Sequence, residues 1–548
     1  MRRKRILDTT ICALFLWLGL AGIAVAQDVA RMDKVVQSYV DAREFMGAVL
    51  VARGGKILFS KAYGSASLEL NVPNTTTTKF RLGSITKQFT AASVLLLEEH
   101  GVLKVEDLVK VHYPDAPPAW DQVTLLHLLS HTSGIPNFTA FPDYQSLAGL
   151  RTTPDELVKR FRDRPLEFAP GTEMRYSNSG YVLLGAIIEK VSGKSYAKFV
   201  DENFFKPLGM KDSGYDSNKD VIARRAAGYV RGPTGLVNAD YLDMTIPHAA
   251  GALYSTTEDL LRWETALFGR QAVSSGSLRK MTTPVKNDYA FGLAVSNDAG
   301  PKFIHHGGGI DGFNTHLTYY PDRKITVVAL SNLNGPGADR ITEKLGRLAH
   351  GEAVVIHSEL REVPVPVDVL GKYVGTYALN PKVNNTITLD GDRLATQLTG
   401  QQKFPLYALS PTSFFLKAVE AQLDFRMDAS GKVTSLVQHQ NGGDRVATRI
   451  SDTILARREI TLPPETLAQF VGSYELWPGH DVVIAVDGKR LTLTASGQAP
   501  DFLLAESANL FFYERIDAQI EFVRDANGAV THLIQHLGTL DRKAPKKT

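Results

Sequence analysis

An internal repeat in the last third of this 548-residue chain constrains its fold more than any other feature. Segments there recur at a constant offset of 97 positions, from Leu370 and Leu467 to His439 and His536. A constant offset over such a length requires two copies of one domain with almost no insertion. The recurring segments begin at Leu370, Asp390, Phe414 and Phe425, and again at Leu467, Asp487, Phe511 and Phe522.

Each copy has the pattern of an antiparallel β domain. Short alternating runs, such as 482–486 and 490–495, are separated by Asp487-Gly488, which is a strong hairpin signal. Proline-containing connectors precede both copies. We therefore predict two small β-barrel-like domains, at 367–450 and 466–545. The repeated histidines are expected to serve folding rather than catalysis, because the glycines and aromatic residues around them repeat as well.

The N-terminus has the features of a secretory signal peptide at residues 1–26. Basic residues 2–5 precede an apolar run at 11–24, and Ala-Val-Ala at 24–26 forms a small-residue cleavage site. The run is short for a membrane span, although an uncleaved anchor is the alternative interpretation. We expect a periplasmic or secreted protein without a stable membrane span after cleavage.

Cleavage would leave a neutral chain without cysteine. Residues 1–26 contain four of the 61 basic residues, one of the 58 acidic residues and the single cysteine, Cys12, which leaves 57 charges of each sign. A neutral chain gives no electrostatic reason to expect nucleic acid or anionic membranes as partners. With 44% hydrophobic residues, the chain can be held together by its own cores.

Residues 27–355 form the remaining, larger domain. A hairpin pattern at 48–60 and strand patterns at 315–330 enclose mostly helical patterns, including 178–190 and 257–267. Strands from both ends of a domain that enclose helices indicate one antiparallel sheet packed against helices. The predicted fold class is thus α+β, followed by the two antiparallel β-barrel-like domains.

A serine and a lysine at helical spacing stand out in this domain. Ser84 and Lys87 lie one helical turn apart, so an amine can take the proton of the hydroxyl and make it a nucleophile. The same Ser-x-x-Lys spacing occurs at Ser195 and Ser277. Only Ser84 combines a preceding glycine with a long following stretch of helix formers that has an apolar face. It is therefore the candidate nucleophile.

Two further clusters could complete a serine hydrolase site. Tyr176 and Asn178 precede a predicted helix and point to the same side. A phenol near an ammonium can lose its proton below its usual pKa and act as a general base. The alternative interpretation is a buried tyrosine beside a helix cap.

The other cluster is the run His305-His306-Gly307-Gly308-Gly309. Its glycines allow close approach of a substrate, and their N–H groups can donate to an oxyanion. A flexible glycine turn is the alternative. Adjacent histidines point to opposite faces of a strand and no third ligand has suitable spacing, so we expect no metal and no cofactor.

In this order, Ser84-x-x-Lys87, Tyr176-x-Asn178 and His306-x-Gly308 resemble the serine β-lactamase and penicillin-binding protein superfamily, specifically its class C-like branch. The resemblance covers about residues 30–350. Further segments resemble this family at 128–134, 168–171, 207–210 and 250–256. A catalytic domain followed by two barrels is also similar to the architecture of D-aminopeptidases.

The resemblance implies a role for each residue of the three clusters. Ser84 would be acylated, Lys87 and Tyr176 would share the proton transfers, and Asn178 would orient lysine and substrate. The N–H groups of Ser84 and Gly309 would form the oxyanion hole, with Gly308 and His306 beside the substrate. His131, in a family segment, would pack and hydrogen-bond within the fold.

The third cluster departs from the Lys-Thr-Gly of many class C β-lactamases, because His306 replaces the lysine. Imidazole is mostly neutral at pH 7, and its charge below a pKa of about 6.5 would favour carboxylate substrates in acid. We predict an exported serine hydrolase for amides or esters, peptidase-like or esterase-like, with weak β-lactam turnover. The alternatives are a true β-lactamase and a penicillin-binding sensor without turnover. The substrate would be a small molecule or peptide, and the oligomeric state is left open.

Overall fold

A computed structural model describes residues 28–232, 235–296, 301–440, 443–454, 457–477, 480–495, 499–538 and 540–547. The predicted signal peptide and Cys12 lie outside these residues. The chain divides into two compact units between Ile356 and His357.

The first unit is built on a six-stranded antiparallel sheet. The strand Gly47–Arg53 lies in its interior and is buried on both faces. Alternate side chains of this strand enter two cores, since Ala48 and Leu50 belong to one and Val49 and Val51 to the other. The strands lie in the order Ala294–Ser296, Phe303–Ile310, Phe313–Tyr320, Ile325–Ser331, Gly47–Arg53, Lys56–Tyr63.

Helices cover both faces of this sheet. The smaller core contains side chains of the helices at 28–41 and Gly337–Ala349. The larger core is centred on the helix Thr86–Glu99, where the ring of Phe89 stacks on Trp263 at 4.1 Å between centroids. The other α-helices are Val109–His112, Leu125–Leu129, Tyr144–Ala148, Pro154–Arg162, Asn178–Ser192, Tyr196–Val200, His248–Gly251, Thr257–Phe268 and Ser275–Thr282. Short 3₁₀ or π turns lie at Gly83–Ile85, Pro118–Trp120, Phe138–Ala140 and Asp201–Phe205.

A small three-stranded sheet positions the chain just before Ser84. The strand Leu253–Ser255 lies at the centre of this sheet and pairs with Phe80–Arg81 on one side and with Gly214–Tyr215 on the other. The backbone N–H of Leu82 also donates to Leu253 O at 2.8 Å. This pairing fixes the chain just before Ser84 against the chain just after Ala250. Two short hairpins complete the unit, Ser65–Ser67 with Val72–Pro73 and Tyr229–Gly232 with Gly235–Asn238.

The second unit contains two nearly closed antiparallel sheets. The first has the strand order Lys403–Pro405, Arg393–Leu398, Val383–Asp390, Gly375–Asn380, Gly443–Ser451, Val433–Gln440, Ala421–Met427, Ser413–Phe415, Tyr407–Ala408. The second follows chain order through Gly472–Trp477, His480–Asp487, Arg490–Ala495, Asp501–Ala505, Leu510–Tyr513, Gln519–Arg524, Val530–Leu537 and Leu540–Pro545. A bridge between Tyr474 and Lys546 joins its first and last strands. Short helices at Val367–Leu370 and Pro464–Ala468 lead into the two sheets.

The sequence repeat is also a structural repeat. Tyr373 stacks on Phe425 at 4.3 Å between ring centroids, and Phe470 stacks on Phe522 at 4.4 Å. Each copy therefore closes around the same aromatic pair. The predicted fold class, an α+β domain followed by two barrel-like sheets, is confirmed. No helix within the described ranges has the length and apolar character needed to cross a membrane.

Candidate active site

Ser84 lies where a strand turns into the central helix of the first unit. The turn Gly83–Ile85 is 3₁₀ and the α-helix begins at Thr86. Gly83 has a φ of +55°, a conformation that favours glycine. The N–H of Ser84 lies in the first turn, where backbone donors have no intrahelical acceptor.

Lys87 is fully buried one turn below Ser84. Its Nζ lies 2.9 Å from each of three atoms, Ser84 Oγ, Asn178 Oδ1 and the Ala250 carbonyl oxygen. Burial holds the pKa of Lys87 well below its usual range. The two amide oxygens can only accept, so a neutral amine that donates to both directs its lone pair at the Ser84 hydroxyl. The geometry therefore allows Lys87 to take the proton of the nucleophile.

The other two Ser-x-x-Lys segments have no such contact. Ser195 caps the helix Tyr196–Val200, and the Lys198 side chain is 61% exposed. Ser277 Oγ donates to Glu99, while Lys280 pairs with Glu98 at 2.8 Å. Three segments of equal spacing thus have three different environments, and only Ser84 has a lysine amine at its hydroxyl.

Tyr176 lies beside this pair, but its environment differs from the sequence-based expectation. Lys87 Nζ lies over the phenol ring, 4.8 Å from its centroid, and the His131 ring lies 4.2 Å away on centroids. Burial raises the pKa of Tyr176, and the Ser84 hydroxyl offsets this only in part. The expected lowering fails because burial removes water from the phenolate, and this effect exceeds what the Ser84 hydroxyl returns. Tyr176 Oη is buried near the Ser84 hydroxyl, and within the described residues it makes no hydrogen bond of ordinary length and angle.

Two side chains hold these groups in place. Asn178 begins the helix Asn178–Ser192, and its Nδ2 donates to Thr139 Oγ1 at 3.1 Å, which turns Oδ1 toward Lys87. His131 Nδ1 accepts the N–H of Ser177 at 3.2 Å. Burial lowers the pKa of His131 well below its usual range, so a neutral ring packs against Tyr176. This agrees with the packing role expected for His131.

His306 is buried behind the site and is not a cation. Its Nε2 accepts a hydrogen bond from the Tyr289 hydroxyl at 2.9 Å, and its Nδ1 donates to Gly307 O at 2.6 Å. Burial lowers the pKa of His306 to about 3. The expected gain of positive charge near pH 6.5 is therefore wrong for this fold. The reason is that the imidazole points into the core rather than toward water.

The glycine run packs directly against the nucleophile turn. A Cβ on Gly308 would lie 1.9 Å from Leu82 O, and a Cβ on Gly83 would lie 3.0 Å from Gly309 N. The strand Phe303–Ile310 thus approaches the turn more closely than side chains would allow. The two residues whose N–H groups are predicted to form the oxyanion hole, Ser84 and Gly309, belong to these two segments.

A cavity of about 180 Å³ opens onto Ser84. Its wall includes Asn178, Gly309 and Asp311, together with Phe138, Thr139, Tyr144, Leu242 and Pro247. In the part of the chain that is described, no three His, Cys, Asp or Glu side chains are placed to hold a metal ion.

Sequence reasoning missed three partners of the site, the Ala250 carbonyl, Thr139 and Tyr289. Backbone carbonyls carry no sequence signal of their own, although Ala250 begins one of the family-like segments. Thr139 and Tyr289 are far from the motifs in sequence, and nothing local distinguishes them from other threonines and tyrosines.

Comparisons with known proteins agree with this geometry. Residues 32–352 match the Beta-lactamase family, and residues 360–447 and 456–544 each match a domain of unknown function, DUF3471. Penicillin-binding protein 4* of Bacillus subtilis (strain 168) is 30% identical over 454 residues, which cover 76% of this chain and 98% of that protein.

Two solved structures share the fold. The octameric penicillin-binding protein homologue from Pyrococcus abyssi has a TM-score of 0.56 at 26% identity and covers 77% of this chain and 99% of its own. The D-amino acid amidase from Ochrobactrum anthropi SV3 has a TM-score of 0.51 at 25% identity, and the match covers 58% of this chain and 98% of the amidase chain. On the matched family, the relatives and the site geometry, this chain belongs to the Beta-lactamase family of serine hydrolases related to penicillin-binding proteins.

Proposed function

We propose that this protein hydrolyses amides or esters through an acyl-enzyme on Ser84, in the manner of a peptidase or esterase. The observation that carries the proposal is the buried amine of Lys87, which lies 2.9 Å from Ser84 Oγ and whose pKa is held well below its usual range by burial. A neutral amine at this distance is a general base that is ready before substrate binds.

In acylation, Ser84 Oγ attacks the substrate carbonyl carbon while its proton passes to Lys87 Nζ. The carbonyl oxygen becomes an oxyanion that accepts from the N–H groups of Ser84 and Gly309. The proton then reaches the leaving group as its bond to carbon breaks. The neutral hydroxyl of Tyr176 is suited to relay it, because its raised pKa keeps it a donor. In deacylation a water attacks the acyl carbon while its proton passes to the same pair. The bond between the acyl carbon and Ser84 Oγ then breaks, Oγ takes up that proton, and the product acid leaves.

The site favours amide or ester substrates over β-lactams with an essential carboxylate. His306 is neutral, and no lysine or arginine lies among the described residues around the cavity. A substrate carboxylate would therefore lack a cationic partner. We place the enzyme in the class C-like branch on the order of its three motifs, and in the periplasm or outside the cell on residues 1–26.

A penicillin-binding protein with slow turnover is the second candidate. The relative that matches 76% of this chain is a penicillin-binding protein, which favours acylation by penicillin. The two candidates differ in deacylation, since a binding protein would keep the acyl group on Ser84.

Labelling of the purified protein with a fluorophosphonate and with fluorescent penicillin tests the proposal. We expect peptide mapping to find both labels on Ser84, and Ser84→Ala to lose at least about 10³-fold in p-nitrophenyl acetate hydrolysis. Ser195→Ala is the matched control and should retain activity. Nitrocefin turnover above about 10² per second would instead establish a working β-lactamase. Penicillin labelling without ester turnover would establish the second candidate, and a label elsewhere would overturn the site.

A further inference from the structure

An acidic residue that the reaction does not use lines the cavity. Asp311 occupies the turn between the strands Phe303–Ile310 and Phe313–Tyr320, two positions after Gly309. Its side chain lines the same cavity as Ser84 and Asn178. Two residues of extended chain span roughly 7 Å, so Asp311 lies within reach of groups close to the bound carbonyl.

The turn that carries Asp311 is held firmly. Asn334 Oδ1 accepts the N–H of Gly312 at 2.8 Å, and Asn334 Nδ2 lies 3.2 Å from Ile310 O and 3.1 Å from Phe313 O. Gly312 has a φ of +81° and packs so closely that a Cβ there would lie 2.4 Å from Gly228 Cα. A carboxylate on such a turn is preorganised and loses little freedom on contact with a ligand.

Asp311 has no cation of its own. Neither a hydrogen bond nor an ion pair joins its carboxylate to another residue in the described ranges. The nearby Arg81 is committed to Asp216, with Nε 2.6 Å from Oδ2. Burial, followed by the negative charge of Asp240, raises the pKa of Asp311, and the positive charge of Arg81 offsets part of this rise. A half-buried carboxylate of this kind gains more from a ligand cation than a solvated one would.

Among the described residues that line the cavity, Asp311 is the only one with a carboxylate or a basic side chain. The phenol of Tyr144 and the Ser84 hydroxyl also lie there and can lose a proton. The charge that a ligand meets in this cavity is therefore negative. An ammonium would be attracted and could donate to the carboxylate, whereas a ligand carboxylate would be repelled. A lone carboxylate without further oxygen ligands suits an amine better than a metal ion.

We propose that Asp311 selects substrates whose acyl group carries a protonated amine close to the scissile carbonyl, such as aminoacyl amides and esters. This inference rests on the proposed function, because it assumes that the acyl group is transferred to Ser84. Asp311 acts on specificity and takes no part in the proton transfers.

Two isosteric substrates isolate this effect. Alanine p-nitroanilide, in both enantiomers, carries an ammonium where isobutyryl p-nitroanilide carries a methyl group. Near pH 6.5 the amine is largely protonated, since its pKa lies at about 7.7–8. We expect the wild type to prefer the better alanine enantiomer by about tenfold or more in kcat/KM, the size of a hydrogen bond to a charged group. Asp311→Asn, which keeps the shape, should lower that preference at least about tenfold, through the alanine substrate.

Controls separate this inference from the proposed function. Fluorophosphonate labelling of Ser84 in the wild type and in Asp311→Asn shows that the nucleophile is intact. Protection from labelling by alaninamide, compared with isobutyramide, repeats the comparison without relying on release of p-nitroaniline. Asp240→Asn, at an exposed position, should change the preference less than Asp311→Asn. Normal labelling with an equal preference in wild type and Asp311→Asn would overturn the role of Asp311 alone. Absence of labelling in the wild type would overturn the proposed function.

Discussion

Substitution of Gly308 by alanine tests whether close backbone contact positions the nucleophile. A Cβ at Gly308 would lie 1.9 Å from Leu82 O and 2.3 Å from Thr315 Oγ1. Real Cβ atoms essentially never come within 3.0 Å of another heavy atom to which they are not bonded. Because Leu82 O is a backbone atom that also accepts from Thr315 Oγ1, it cannot rotate away. Strand and turn must therefore separate by about 1 Å, and a displacement of that size can cost roughly 10²-fold in rate. This corresponds to about 2.7 kcal/mol of transition-state stabilisation.

The neighbouring glycine provides a matched control. A Cβ on Gly307 would lie no closer than 3.4 Å to any atom, which is ordinary contact, so Gly307→Ala should keep most of its activity. We would measure kcat/KM for p-nitrophenyl acetate and the melting temperature of both variants. Overpacking by one methyl group should also destabilise Gly308→Ala by about 1–3 kcal/mol. Activity of Gly308→Ala within about threefold of wild type would refute the argument that this contact sets the site geometry.

Two further predictions concern the proton relay and the buried histidines. Lys87→Met and Tyr176→Phe should each lower the rate of ester hydrolysis at least about 10²-fold. The double variant should lose little more, because the effects of groups that act together are not additive. Losses that multiply in the double variant would argue against a shared relay. Since burial lowers the pKa of His306 to about 3, KM for carboxylate-bearing β-lactams should not improve between pH 7.5 and 5. Buried histidines with a lowered pKa take up protons only on unfolding. Their contribution to the free energy of unfolding should therefore be fully present above about pH 7 and should be lost as the pH falls below about 6.5. A melting temperature that is unchanged at pH 5 would contradict this. These histidines are His131, His248, His305, His306 and His316.

Local patterns in the sequence were enough to predict the main elements of the fold. The helix expected to open at Ser84 is present as the turn Gly83–Ile85 and the helix Thr86–Glu99. The hairpin expected at 48–60 is observed as Gly47–Arg53 with Lys56–Tyr63. These elements depend on alternation, periodicity and glycine turns, which neighbouring residues determine.

Protonation states could not be obtained in the same way. From the sequence we expected a lowered pKa for Tyr176 and an imidazole at His306 that becomes protonated below about pH 6.5. Both expectations are wrong. In each case burial dominates, and burial depends on packing between segments far apart in the chain. Asp311 shows the same limit, since nothing in the local sequence placed its side chain in the cavity.

The sequence alone determined which pieces this protein is made of: a duplicated β domain, an α+β domain, and three clusters of hydrolase-like residues in family order. It could not distinguish Ser84 from Ser195 and Ser277 by spacing, because all three share it. Local context favoured Ser84, and the tertiary structure supplied the physical difference, because it buried Lys87 against Asn178 and the carbonyl of Ala250, 163 residues away. Spacing follows from the geometry of one helical turn, whereas the reactivity of an amine follows from how its surroundings exclude water and use its protons.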